Sequence, residues 1–194
     1  MNPELKSELN NETLLKYLQD NRYSDVMVSM NSSIFEDRPM FNELKGKSNL
    51  VGIEVGVQFG VNAKRILDEL DIKKLYLIDI FETPEIEEFC KFVLQDYKDK
   101  IVFIKDWSAN AINKIYNKVD FCYIDASHSY EDVKKDIDLY YPKVKLGGIF
   151  GGHDYCKREV GVRTAVDKFG EELKYSIIKK NWDWFIIKEK KNEA

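Results

Sequence analysis

Short apolar runs alternate along this chain with segments whose apolar residues recur every three or four positions. Buried strands produce the first pattern and amphipathic helices the second. Leu50-Val51-Gly52-Ile53-Glu54-Val55, Leu75-Tyr76-Leu77-Ile78-Asp79, Ile101-Val102-Phe103-Ile104 and Val119-Asp120-Phe121-Cys122-Tyr123-Ile124 read as strands covered on both faces, and Ile149-Phe150 starts a fifth. Helical faces separate them: Ala63, Ile66, Leu67 and Leu70; then Ile86, Phe89, Cys90, Val93 and Tyr97; then Ile112, Ile115 and Tyr116; then Tyr130, Val133, Ile137 and Tyr140. Thr83-Pro84-Glu85 supplies a cap, a first-turn proline and a first-turn acid. Ser108 is expected to cap the short helix after the third strand, and Pro142 with Gly147-Gly148 to close the helix that begins near Tyr130.

A last helical face, Val162, Ala165, Val166 and Phe169, is expected to end at Gly170. Tyr175-Ser176-Ile177-Ile178 and Trp182 to Ile187 then read as two strands. Their link, Lys179-Lys180-Asn181, is too short for a helical crossover, so they should form an antiparallel hairpin at the sheet edge. The layout predicts an α/β fold: a Rossmann-like three-layer sandwich with a mostly parallel seven-stranded sheet and a C-terminal antiparallel hairpin. Residues 49–190 would form that domain, preceded by an N-terminal segment, 1–48. In the latter, Leu14, Leu15 and Leu18 suggest a short helix with Asn11 or Thr13 as cap. Met27 to Pro39 is irregular and holds Met30, Phe35 and Arg38; it reads as a lid or substrate loop, or simply as helical decoration.

Composition narrows the function classes. Apolar residues make up 44% and charged residues 33% of 194, ordinary for a soluble globular chain. A net charge of -4 without a basic block argues against nucleic acid as partner. Met1 to Glu12 is polar and lacks a signal-peptide core, and no apolar run approaches the ~20 residues of a membrane span. The expectation is a cytoplasmic protein without a membrane partner. Cys90, Cys122 and Cys156 show no paired spacing and read as free thiols, with Cys156 a bystander beside Tyr155.

The chemistry concentrates between Val119 and Tyr155. Strand, helix and strand there make a βαβ unit, so two parallel and adjacent strands would bring Asp125, His128, His153 and Asp154 to one carboxyl edge. Both histidines of the chain lie in that set. A lone histidine at a strand end is more often a hydrogen-bonded surface residue than a base; four convergent polar residues at the binding edge reverse those odds. The first strand ends in Gly56-Val57-Gln58-Phe59-Gly60, a turn suited to a nucleotide-like ligand. Its spacing is E-x-G-x-x-x-G rather than GxGxxG, and Gln58 or Phe59 would crowd a pyrophosphate, which counts against a nicotinamide cofactor. Asp79, at the second strand's tip, is placed either to hold ribose hydroxyls or to cap a loop. Trp107 is either an adenine neighbour or only a core or surface aromatic.

Glu54 to Ala63 resembles the cofactor turn of class I S-adenosylmethionine-dependent methyltransferases of the catechol O-methyltransferase-like branch. Tyr123-Ile124-Asp125-Ala126-Ser127-His128-Ser129-Tyr130-Glu131-Asp132-Val133, with Gly147-Gly148-Ile149-Phe150-Gly151-Gly152-His153-Asp154-Tyr155, resembles the macrocin-type sugar O-methyltransferases. The similarity spans roughly Val51 to Lys188. It implies S-adenosyl-L-methionine as cofactor, with Glu54, Gly56, Gln58 and Gly60 on its methionine side, Asp79 on the ribose, and Asp106, Trp107 and Ser108 around the adenine. It also implies a divalent metal, Mg²⁺ or Mn²⁺, on Asp125, His153 and Asp154, and His128 as general base. Imidazole is a poor Mg²⁺ ligand, so either His153 points away or the site favours a softer ion. The acceptor would be a hydroxyl of a small molecule or glycan, and relatives associate through N-terminal elements, which leaves a homo-oligomer open. Two other readings stand beside this one: a nicotinamide-dependent oxidoreductase and a non-catalytic adenosyl-ligand binder.

Overall fold

The computed structural model describes residues 37–189. The expected helix around Leu14 to Leu18, and most of the irregular segment before Pro39, lie outside the described residues. In chain order the elements are α1 (Pro39–Asn42), β1 (Leu50–Val55), α2 (Val61–Glu69), β2 (Ile72–Asp79), α3 (Pro84–Val93), β3 (Ile101–Lys105), α4 (Ser108–Ala111), β4 (Val119–Ile124), α5 (Tyr130–Tyr140), β5 (Val144–Gly152), α6 (Val160–Leu173), β6 (Ile178–Lys180) and β7 (Asp183–Ile187).

The seven strands lie in the order β3-β2-β1-β4-β5-β7-β6. Strands β1 to β5 are mutually parallel, and β7 runs antiparallel to both β5 and β6. Alternation along the strands divides the core in two. Phe121 and Tyr123 join Met40, Phe41, Ala63, Ile66 and Phe89 on the face covered by α1, α2 and α3. Cys122 and Ile124 join Ile53, Val55, Val133, Ile137, Val166 and Trp184 on the face covered by α5 and α6. The sheet is thus the middle of three layers. Chain order reverses between β1 and β4, and that switch point opens a crevice at the carboxyl ends of the strands.

Three boundaries differ from the pattern reading. Helix α6 runs past Gly170 to Leu173 and ends on a left-handed Lys174, φ 59°. Gly170 stays helical, and Ile177 packs so closely that a Cβ there would lie 3.0 Å from its side chain. Gly147 and Gly148 do not close α5; they sit within β5, where Gly147 (φ 76°) donates its N–H to the Lys188 carbonyl. The hairpin is real, but Tyr175 to Ile177 are outside its strands. Lys180 pairs with Asp183 across a two-residue turn, Asn181-Trp182, both at positive φ (51° and 66°) as a type I′ turn requires. The apolar run in the sequence drew the strand too early because Tyr175 and Ile177 pack as part-buried core instead.

Candidate functional site

A cleft of about 1260 Å³ opens at the switch point, between the turn after β1 and the ends of β4 and β5. The first wall is the turn itself. Gly56, Gln58 and Gly60 all have positive φ (85°, 48° and 77°), so the chain folds sharply before α2. Asp79 at the end of β2 clasps this turn. Its Oδ2 accepts from the N–H groups of Val57 (2.7 Å) and Gln58 (2.8 Å), and its Oδ1 from that of Phe81 (2.6 Å). Of the two expectations for Asp79, ribose ligand or loop cap, these contacts are those of the second: the carboxylate pins the turn.

Gly56 has a reason the sequence did not suggest. A Cβ there would lie 1.9 Å from the Asp125 carbonyl oxygen and 2.7 Å from the Ala126 Cα. Glycine is needed so that the β1 turn can press on the β4 loop, and Gly56 still lines the cleft beside that contact.

Glu54 is 1% exposed, at the base of the same wall. Its Oε1 accepts from Asn62 Nδ2 at 2.9 Å, while its Oε2 and Asn62 Oδ1 have no hydrogen-bond partner among the described residues. Burial pushes the carboxyl up to about 8, against the lowering effect of the Asn62 hydrogen bond. Once Glu54 is ionised its Oε2 is a buried acceptor without a donor, which is costly, and a cationic donor such as an ammonium group would satisfy it.

The adenine-side residues divide. Asp106 accepts from Trp107 N–H (2.9 Å), Asn110 Nδ2 (3.0 Å) and Lys114 Nζ (2.8 Å), so it is the residue that organises the start of α4. Ser108 is the first helical residue and not the cap, which falls at Trp107 and carries no side-chain bond. Trp107 is 67% exposed at the cleft rim, so it is not a core aromatic. Asp136 on α5, to which the sequence pattern gave no role, is 3% exposed, lines the cleft and is pushed up to about 6 by burial despite a hydrogen bond with Ser108.

The opposite wall holds the imidazoles. β4 and β5 are paired neighbours, with Ile124 opposite Gly152, so their tips emerge together. Ligand atoms of Asp125, His153 and Asp154 all lie within 4.8 Å of one another. His153 Nδ1 is 3.2 Å from Asp154 Oδ1 and 3.9 Å from Asp125 Oδ1, so the ring points into the cluster rather than away. His128 Nε2 lies 2.8 Å from Asp154 Oδ2. Asp154 holds φ 61°, an uncommon conformation for a non-glycine residue. Burial raises the Asp125 carboxyl, with His153 opposing and the Asp154 charge adding to it. Asp154 itself goes down: burial disfavours its charge, but the hydrogen bond from His153 and that ring's charge outweigh burial. His153 moves up, because its bond to Asp154 and the Asp125 charge overcome desolvation.

Beneath this cluster lies a charge pair that the sequence could not signal. Arg38, 2% exposed, donates from Nη1 to Asp183 Oδ1 at 3.3 Å, and Tyr123 Oη donates to the same oxygen at 2.8 Å. The two residues are 145 positions apart, and Asp183 begins β7. Arg38 reaches the cleft wall, where its charge faces Asp125.

A profile of the methyltransferase domain family matches residues 53–155, just over half of the chain. No curated protein matches the chain. Solved structures with this fold include a Corynebacterium glutamicum protein, 13% identical with a TM-score of 0.63, covering 98% of this chain and 95% of its own. An rRNA methylase of Streptococcus thermophilus is 13% identical with a TM-score of 0.59, covering 84% and 96%. MycE, a methyltransferase of the mycinamycin biosynthetic pathway solved with Mg and S-adenosylhomocysteine, is 16% identical with a TM-score of 0.58 over 80% of this chain, which spans only 49% of MycE. At such identities the structures share the fold and leave the acceptor open. The family match carries more, and by it the chain belongs to the methyltransferase domain family, as an S-adenosylmethionine-dependent methyltransferase.

Proposed function

We propose that the protein transfers a methyl group from S-adenosylmethionine to a hydroxyl of a small molecule or sugar, assisted by a divalent cation. The observation that carries this reading is the meeting of Asp125, His128, His153 and Asp154 across one cleft from the β1 turn. S-adenosylmethionine carries a sulfonium and an ammonium, and the floor of the cleft is acidic. Glu54 with its unpaired Oε2 fits the ammonium. The same acidity repels a dinucleotide pyrophosphate, which sets the oxidoreductase reading aside. The intact polar set likewise favours turnover over simple ligand binding.

Asp125, His153 and Asp154 would hold the cation. Two carboxylates and an imidazole suit Mn²⁺ or a similar ion better than Mg²⁺. A bound cation would lower the acceptor hydroxyl's pKa. His128, 44% exposed at the cleft, is the base that takes the proton. The wall formed by Glu54 and the β1 turn orients the methyl donor, and alignment is worth about 7–11 kcal/mol of barrier in the best cases.

The test is methyl transfer from labelled S-adenosylmethionine to a panel of catechols and glycosides. Chelator should abolish turnover and Mn²⁺ restore it, while His128→Ala should lower turnover without loosening the cofactor. Turnover indifferent to chelator removes the metal from the account, and full activity in His128→Ala removes the base.

A further inference from the structure

The turn between β6 and β7 carries a residue that its backbone does not favour. Asn181 and Trp182 both hold left-handed φ (51° and 66°), and a type I′ turn prefers Asn-Gly at those two positions. For a residue as bulky as tryptophan such a conformation is an outlier. The indole is not there to fill the core. Trp184, two positions on, is 1% exposed, whereas Trp182 is 44% exposed and belongs to neither core cluster. It lines the cleft instead. The turn that presents it is fastened on both sides. Tyr155, next to Asp154, donates its N–H to the Trp182 carbonyl at 2.9 Å, and Asp183 is the buried carboxylate that accepts from Arg38 and Tyr123. The indole centroid lies 6.2 Å from that of the His153 ring with the planes 44° apart, so the imidazole leans beside the indole and does not stack on it.

We propose that Trp182 is a specificity-determining residue: its indole is the wall against which the acceptor's ring lies while two neighbouring hydroxyls of that ring reach the cluster of Asp125, His153 and Asp154. The inference rests on the cation-assisted reading of that cluster. It selects acceptors that carry an apolar ring face beside a vicinal hydroxyl pair, which describes both the aryl face of a catechol and the C–H face of a pyranose. Either face leaves water on meeting the indole and faces its electron-rich π surface. An acyclic diol brings the same two oxygens and no face, so it forfeits the contact. A strained residue persists where its surroundings over-determine it, and here the Tyr155 bond and the Arg38–Asp183 pair do so. Glycine would suit the turn better and leave the acceptor without a wall.

The test is calorimetry on the full-length protein saturated with S-adenosylhomocysteine and Mn²⁺, with catechol, methyl mannoside and glycerol as probes. At least one ring probe should bind about tenfold or more tightly than glycerol, and which one does so tells aryl from sugar. Trp182→Gly should weaken that probe at least about fivefold, and Trp182→Phe, which keeps a flat ring, should stay within about twofold of wild type. Affinities for Mn²⁺ and S-adenosylhomocysteine should change by less than about twofold in both variants. A large loss of Mn²⁺ affinity in Trp182→Gly would give the indole the merely structural task of packing His153, and overturns the proposal. Equal ring-probe affinity in wild type and Trp182→Gly overturns it too. So does a wild type that binds glycerol as tightly as the rings, or binds neither ring, and that comparison stands even if a variant fails to fold. Ring binding that survives chelator yet still weakens in Trp182→Gly refutes the cation and keeps the wall. Mn²⁺-dependent ring binding indifferent to Trp182 does the reverse.

Discussion

Replacing Glu54 with glutamine should stabilise the protein, and by an amount that grows with pH. Glu54 titrates at about 8 in the folded protein against an ordinary 4.5, because burial penalises its charge. Between those two values the folded chain keeps a proton that the unfolded chain has released. Wild-type stability therefore falls as pH rises from 4.5 to about 8, and this group adds no further slope above that. The full gap corresponds to about 4–5 kcal/mol at 1.36 kcal/mol per pH unit. Glutamine has no charge to bury, and its amide meets much the same surroundings as the protonated acid. The two proteins should accordingly be near equal at pH 5, with the variant ahead by about 2–4 kcal/mol at pH 8.5 once a compact unfolded state is allowed for. Urea unfolding followed by tryptophan fluorescence across this range is the assay. Parallel stability curves would refute the reasoning, since they would mean that Glu54 is ionised and solvated in the folded state. The same carboxyl should be mostly protonated at pH 7, so binding a cofactor ammonium there should release nearly one proton. Calorimetry of S-adenosylhomocysteine binding in buffers of different ionisation enthalpy would register that proton in the wild type and not in Glu54→Gln.

Gly56→Ala should weaken cofactor binding at least tenfold and lower stability by about 2–4 kcal/mol, because it combines φ 85° with a 1.9 Å approach to the Asp125 carbonyl. Calorimetry and urea unfolding check it, and wild-type values in both would show that the turn and the β4 loop are not in contact. Arg38→Met should cost about 3–5 kcal/mol, since it leaves the buried Asp183 carboxylate without its cation. Adding Asp183→Asn to that variant should restore part of the loss in urea unfolding, and a strictly additive double variant would contradict the pairing. Asp125→Asn and Asp154→Asn should each abolish Mn²⁺ binding measured by electron paramagnetic resonance, whereas retained binding in both would place the ion elsewhere.

The pattern of apolar residues was sufficient for the sheet and its layers, because Val119 to Ile124 and Leu50 to Val55 are strands buried on both faces and bounded by polar tips. It was also sufficient to bring Asp125, His128, His153 and Asp154 to one edge, since a βαβ crossover is short and has a fixed hand. Contacts made by residues distant in sequence were not legible. Arg38 and Asp183 meet only because α1 packs on β7, and neither lies in a motif. The glycine requirement at Gly161 appears only when the loop before α5 is in view, since a Cβ there would lie 2.2 Å from the His128 carbonyl oxygen. The apolar pattern assigns Asp132 no role, yet its Oδ2 accepts from the hydroxyls of Ser127 (2.7 Å) and Ser129 (2.8 Å) and so ties down the loop carrying His128. The early placement of β6 has a different origin: Tyr175 and Ile177 have strand-like chemistry, but the positive-φ pair Asn181-Trp182 sets the hairpin register.

Titration of S-adenosylhomocysteine and, separately, NADH into the full-length protein, with Glu54→Gln and Gly56→Ala as controls, tests the central claim most directly. The account predicts saturable one-site binding of S-adenosylhomocysteine, weakened in both variants, and no heat from NADH. Binding of NADH with none of S-adenosylhomocysteine would contradict it.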